Sequence, residues 1–276
     1  MYIDAHHHLW NFDPVEYDWI NDSMAVLKKD FLINELEKTL RQNGFSSSIA
    51  VQARQSMAET LWLLELAEDT ELIKGVVGWI DLKSETLAQQ LDELANYKKL
   101  VGFRHVIQGE SDPAFMQNPD FIRGLKMLAD KGYRYDLLIF AHQLPAATQM
   151  LEQVPNLHVV IDHIAKPNIK SRSDFDTWQQ NLAVLANNEK CYCKLSGMVT
   201  EADWINWQSS DFQPYMKTVW DLFGKNRIMF GSDWPVCLVA AQYSQVKELV
   251  LDFINNNGPH AKDLILGHNA QEFYQL

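Results

Sequence analysis

The chain has 276 residues, 47% of them hydrophobic, and a formal net charge of −12. That charge disfavours nucleic-acid binding, which needs a basic surface, and no apolar stretch of about 18 residues offers a membrane span. No basic region followed by an apolar block opens the chain, so no secretory signal is read; three cysteines, an odd number, fit reduced thiols in a cytoplasmic protein.

In chain order, short apolar runs of strand length recur at 2–6, 47–52, 75–81, 100–106, 135–140, 158–163, 191–196 and 227–233. Amphipathic segments fill the gaps. Ser56-Met57-Ala58-Glu59 reads as a capping box opening a helix, and Ser84 as the cap of the next. Asn118-Pro119 reads as an N-cap with proline at the first helical position, and Gly132 as its end. Gly44 and Gly224 close two others, while 174–188 and 243–256 carry apolar residues at three- and four-residue spacing. Eight strand signals alternating with about eight helices predict one domain over 1–276, a (β/α)8 TIM barrel in regular or distorted form. An open doubly wound sheet is the competing fold. It normally shows a glycine-rich phosphate loop after the first strand, and His6-His7-His8-Leu9-Trp10 is not one.

Three adjacent histidines in that first segment lie among Ile3, Ala5, Leu9 and Trp10, unlike a flexible tag. Strand alternation puts Asp4, His6 and His8 on one face and Ile3, Ala5 and His7 on the other. In a barrel of this kind, chemistry sits at the C-terminal strand ends. Those ends carry His6 and His8, then Gln52 and Arg54, then Trp79 and Asp81, then Arg104 and His105, then His142, then Asp162, His163 and Lys166, then Lys194 and Ser196, then Asp233 and Trp234. Each has a bland reading: a hydrogen-bonded structural histidine, a turn aspartate, a surface arginine. Six of nine histidines at strand ends is a different matter, and only His158, His260 and His268 read as structural. Cys191 and Cys193 read as buried thiols, since no second cysteine pair completes a zinc site.

"IDAHHHLW", "GFRHVIQ", "VIDHIAKP", "CKLSGMVTEADW" and "MFGSDWPV" together resemble the amidohydrolase superfamily. More narrowly, they resemble the amidohydrolase-2 branch that includes sugar lactonases and 2-pyrone-4,6-dicarboxylate hydrolases. The resemblance implies metal ligands at His6, His8, His142 and Asp233, with His163 as the sixth-strand histidine. One departure stands out: where binuclear members carry a bridging lysine or glutamate, this chain has Phe103-Arg104-His105. A single divalent metal, zinc by chemistry, is therefore expected, and for an activated ester it is dispensable.

The resulting expectation is a hydrolase of a small cyclic ester, a sugar-acid lactone of the L-fucono or L-rhamnono type. Asp233 is the expected general base, with His163 and Arg104 polarising the carbonyl. Arg54 and Lys166 are expected to grip the substrate, alongside Gln52, His105, Trp10 and Trp234. Glu201 reads as solvated. The competing readings are a metal-dependent decarboxylase of the same superfamily and a non-catalytic ligand-binding barrel. The expected partner is a small molecule, with neither nucleic acid nor membrane, and the expected assembly is a monomer or homodimer.

Overall fold

The computed structural model describes residues 1–276. Eight parallel strands follow one another in chain order: β1 (Ile3–His7), β2 (Ser47–Val51), β3 (Ile73–Gly78), β4 (Leu100–His105), β5 (Arg134–Leu137), β6 (Val159–Ile161), β7 (Cys191–Leu195) and β8 (Ile228–Phe230). Each overlaps a predicted apolar run, with ends shifted by up to three residues. Parallel strands are covered on both faces, so they read as continuous apolar runs. β6 and β8 keep only three residues, because the polar segments after them turn out of the sheet.

Helices alternate with the strands: α1 (Ile33–Gln42), α2 (Met57–Glu68), α3 (Leu87–Leu94), α4 (Pro119–Lys131), α5 (Leu144–Glu152), α6 (Phe175–Ala186), α7 (Ser209–Phe223), α8 (Tyr243–Asn257) and a final α9 (Asn269–Tyr274). The predicted ends of α4 hold: Asn118 accepts from the Asp120 and Phe121 N–H groups, and Gly132 ends the helix at φ 81°. Two expectations shift. Ser56 caps α2, but Glu59 does not complete the box; its carboxylate accepts from the Ala53 and Arg54 N–H groups instead. Ser84 accepts from the Thr86 N–H in the turn ahead of α3, which starts at Leu87.

Two apolar cores result. The larger joins strands to helices through residues such as Leu63, Phe103, Tyr135, Trp178 and Phe253. The smaller fills the barrel with Ile3, Ala5, Val51, Val77, Val160 and Met229, and Phe273 and Tyr274 of α9 pack against it. The three cysteines are free and buried. No helix is long and apolar enough to cross a membrane.

The closure between β8 and β1 positions the site. Here the ladder gives way to a single bridge between His7 and Trp234. The Asp233 N–H donates to the His6 carbonyl at 2.8 Å and the His8 N–H to the Trp234 carbonyl at 2.7 Å. Asp4 completes the seam, accepting from the Ser232 N–H (2.8 Å), Ser232 Oγ (2.6 Å) and the Tyr243 hydroxyl (3.0 Å). Strict alternation therefore fails in β1. A register shift between Asp4 and His7 turns Asp4 toward α8, while His7 meets Ser48 Oγ at 3.0 Å.

Gly231 directly follows β8 and lies against β1; a Cβ there would stand 2.6 Å from His6 Cβ. Gly231→Ala is expected to pry β8 from β1 at a cost of about 1–3 kcal/mol, read as a lowered midpoint in urea unfolding. An unchanged midpoint would mean that the seam is slack.

Candidate active site

Four side chains meet at the C-terminal mouth of the barrel. His6 and His8 come from the end of β1, His163 follows β6 and Asp233 follows β8. Asp233 Oδ1 lies 3.3 Å from His8 Nε2, 3.8 Å from His6 Nε2 and 3.9 Å from His163 Nε2. The Nε2 atoms of His6 and His8 are 3.2 Å apart. His8 Nδ1 donates to the Val51 carbonyl at 2.8 Å. A carbonyl only accepts, so the neutral ring carries its lone pair on Nε2, facing the cluster.

His163 is placed by unusual backbone. His163, Ile164, Ala165 and Lys166 all have left-handed φ, at 53°, 51°, 61° and 47°. Such residues cost about 1–2 kcal/mol each, most of all a β-branched one. The Trp178 indole N–H donates to the Ile164 carbonyl at 2.7 Å and pins the turn. His163 Nδ1 meets Ser196 Oγ at 2.8 Å. Its ring lies against Gly197, where a Cβ would come within 2.4 Å of Nδ1. Strain held this firmly orients both His163 and Lys166.

Below the imidazoles lies a buried charged layer. Arg104 donates to Asp162 Oδ2 at 3.0 Å and to the Gln52 carbonyl, and its Nη1 is 3.4 Å from His6 Nε2. Lys194, fully buried, contacts Asp136, Asp162 Oδ1 (3.0 Å) and His6 Nδ1 (3.1 Å). Tyr274 donates to Asp136 from α9 at 2.9 Å. Burial alone would raise the Asp162 carboxyl, but Lys194, His6 and Arg104 hold it well below the usual range. Burial pushes Asp136 up to about 6, even against Lys194. It pushes His6 well down and His163 down to about 4, so both rings are neutral near pH 7. Asp233 is buried too, which would raise it, yet His163 and His8 outweigh the burial and keep it ionised.

Above this floor opens a cavity of about 690 Å³, walled in part by Trp19, Trp204, Arg54, Lys166 and Glu201. Its cations are paired. Arg54 meets Glu16, and Lys166 meets Glu201 at 3.0 Å. Glu59 fixes the Arg54 backbone and accepts from the Tyr17 hydroxyl at 3.1 Å, tying the loop after β1 to the loop after β2.

The donor set fits a divalent cation. His6, His163 and Asp233 offer ligand atoms all within 4.8 Å of one another, and His8 adds a further lone pair. Two imidazole lone pairs facing at 3.2 Å repel unless a proton or cation lies between them. Asp162 Oδ1 is buried, 3.0 Å from the Lys194 ammonium and 3.2 Å from His6 Nδ1. A cation on the Nε2 side would leave the His6 proton on Nδ1, where Asp162 can accept it. Three imidazoles and one carboxylate suit a transition ion.

Of the predicted site residues, the structure gathers His6, His8, His163, Asp233, Arg104, Arg54 and Lys166. Others need correction. His142 is exposed, stacks on Phe140 at 5.9 Å and lines a neighbouring cavity, because the chain after β5 turns away from the cluster. Trp10 is fully buried against Tyr17, Trp19 and Phe31, and Trp234 packs on Phe31. His105 is held between Glu110 (2.6 Å) and the Phe115 ring, outside the cavity wall. Gln52 is buried and donates to the Arg104 carbonyl; it supports the arginine rather than facing the cavity. Glu201 is not solvated but an ion-pair partner. Sequence reasoning missed Glu16, whose pairing is long-range, and Asp136, which had a signal: a charge inside the apolar run Tyr135–Phe140.

A (β/α)8 barrel with a His/Asp centre at this rim defines a class of hydrolytic barrel. The chain belongs to the amidohydrolase family, whose model matches residues 3–276. It is 42% identical over 257 residues to an L-fucono-1,5-lactonase of Burkholderia multivorans, covering 90% of this chain and 86% of the relative. It is 30% identical over 285 residues to an L-fucono-1,5-lactonase of Burkholderia ambifaria, covering 99% and 95%. A solved amidohydrolase of Burkholderia multivorans with bound zinc superposes with a TM-score of 0.96 at 38% identity, covering 100% of this chain and 99% of the other.

Burial raises Glu59 to about 7 from 4.5. The folded state thus binds this proton more tightly than the unfolded state, and its contribution to stability falls as pH rises through about 7. Between pH 5 and 8.5, wild type is expected to lose about 2 kcal/mol relative to Glu59→Gln. Paired urea titrations at the two pH values measure it; a pH-independent gap would contradict the assignment.

Proposed function

We propose that the chain opens a neutral sugar-acid lactone by hydrolysis, of the L-fucono type that its relatives' names carry. The observation that carries this reading is the pairing of the cations. Arg54, Lys166 and Arg104 each already hold a carboxylate, in Glu16, Glu201 and Asp162. No cation is free for a substrate carboxylate, while the pairs still present donors and acceptors for hydroxyls. A decarboxylase must recognise an acid, and no unpaired arginine or lysine lines the cavity for one. The faces of Trp19 and Trp204 suit the apolar side of a sugar ring.

His6, His8, His163 and Asp233 would hold one divalent ion, zinc by the donor set, with His163 in the place assigned from sequence to His142. The chemistry such an ion supplies is Lewis acidity toward water and carbonyl. Asp233 takes the proton from water as its oxygen attacks the lactone carbon. Arg104 Nη1 sits beside the cluster and stabilises negative charge on the carbonyl oxygen. The ring C–O bond then breaks, and the proton held by Asp233 passes to the departing ring oxygen, which becomes a hydroxyl. The walls keep the ring oriented through its hydroxyls.

Turnover of L-fucono-1,5-lactone, followed by acid release, is the direct test. Asp233→Asn is expected to lower kcat about 10²–10⁴-fold with the fold intact. Equal rates for the two proteins, or no lactone opened by wild type, would end this reading. Zinc content measured after dialysis is expected near one per chain, and His8→Ala is expected to lose it; zinc retained in that variant would remove His8 from the ligand set.

A further inference from the structure

Beneath the proposed centre lies a second set of ligands that the reaction above does not use. His6, Asp136 and Asp162 are all buried, and their ligand atoms lie within 4.8 Å of one another. One nitrogen and two carboxylates are a donor set for a divalent transition ion. The Lys194 ammonium stands inside this set. It contacts Asp136, lies 3.0 Å from Asp162 Oδ1 and 3.1 Å from His6 Nδ1, and is fully buried. Asp162 Oδ1, also fully buried, lies 3.2 Å from His6 Nδ1, so the ammonium, the imidazole nitrogen and both carboxylates converge on one point.

We infer that this is a second cation site in the barrel, for a divalent transition ion, and that the Lys194 ammonium occupies it as a tethered substitute. Two buried carboxylates need positive charge nearby, and Lys194 and Arg104 supply two charges for the two carboxylates. A mobile ion would have to displace an ammonium that cannot leave. His6 belongs to both levels: Nε2 faces Asp233 and the cavity, while Nδ1 faces Lys194, and an ion bound there takes the place of the Nδ1 proton, which passes to solvent. The barrel is thus a one-metal scaffold because a lysine fills the second position. The inference deepens the proposed function by fixing the number of metal ions, and it rests on that reading only for the upper site.

The test counts zinc and needs no turnover. Wild type, Lys194→Met and Lys194→Gln are stripped with chelator, refolded with and without zinc, and analysed for bound zinc and thermal stability. Each variant is expected to bind one more zinc per chain than wild type. Zinc is also expected to raise variant melting temperatures at concentrations where wild type no longer responds. Adding Asp136→Asn to Lys194→Met is expected to abolish the extra equivalent. The difference between variant and wild type is the readout, so the result stands whether wild type itself binds one zinc or none. Variants that fold but bind no extra zinc overturn the inference. So do variants that stay unfolded with zinc present, because an ion fitting the site would replace the lost charge.

Discussion

The structure depends on how β8 meets β1. Every other neighbouring pair of strands shares a parallel ladder, but this pair is joined by one bridge, two backbone hydrogen bonds and the Asp4 carboxylate. Asp4 is buried and raised to about 6 by that burial, so its four donors are needed to hold a charge there. The short seam lets two chain ends diverge at the mouth. His6 and His8 leave β1 on one side of it and Asp233 leaves β8 on the other, with Asp233 itself in the left-handed region at φ 56°. A regular ladder would have continued the strands and kept these groups in the pleat. Barrel closure and the cluster therefore share one set of backbone contacts.

The second constraint is charge without water. Arg104, Lys194, Asp136 and Asp162 are nearly or fully buried in one layer. Isolated, any one of them would be strongly destabilising; together they neutralise one another. The layer holds His6 from below, while His8 is held by a backbone carbonyl and His163 by Ser196. Each imidazole thus has one nitrogen engaged by the protein and one presented to the cluster. Such fixed orientation separates a working centre from a chance meeting of histidines.

Most of the fold was legible in the sequence because parallel strands, buried on both faces, leave unbroken apolar runs that stand out from amphipathic helices. The rim residues were legible because barrel geometry sends strand ends to a single mouth. What was not legible depends on local geometry or long-range pairing. No rule puts His-Ile-Ala-Lys into four left-handed residues, so His163 could not be ranked above His142 from sequence. Strand alternation could not foresee the shift in β1 that separates Asp4 from His6. Trp10 sits at a strand end like a rim residue, but the long segment before α1 folds over it and makes it core. The pairs Arg54 with Glu16 and Lys166 with Glu201 join residues from different loops, and nothing in either partner's neighbourhood announces the other.

Those pairs also bear on how a turnover would finish. Opening a lactone converts a neutral ring into a carboxylic acid that ionises at neutral pH. In the proposed reaction the new carboxylate forms beside Asp233, which the neighbouring imidazoles keep ionised. A free arginine or lysine in the wall would hold that product, but each wall cation already has its own carboxylate. Two unit charges about 4 Å apart interact by roughly 4 kcal/mol at the dielectric typical of a protein surface. That repulsion is absent with the lactone bound and appears only after ring opening. On the proposed reading, the same pairing that suits a neutral substrate leaves the anionic product without a free arginine or lysine in the wall to hold it.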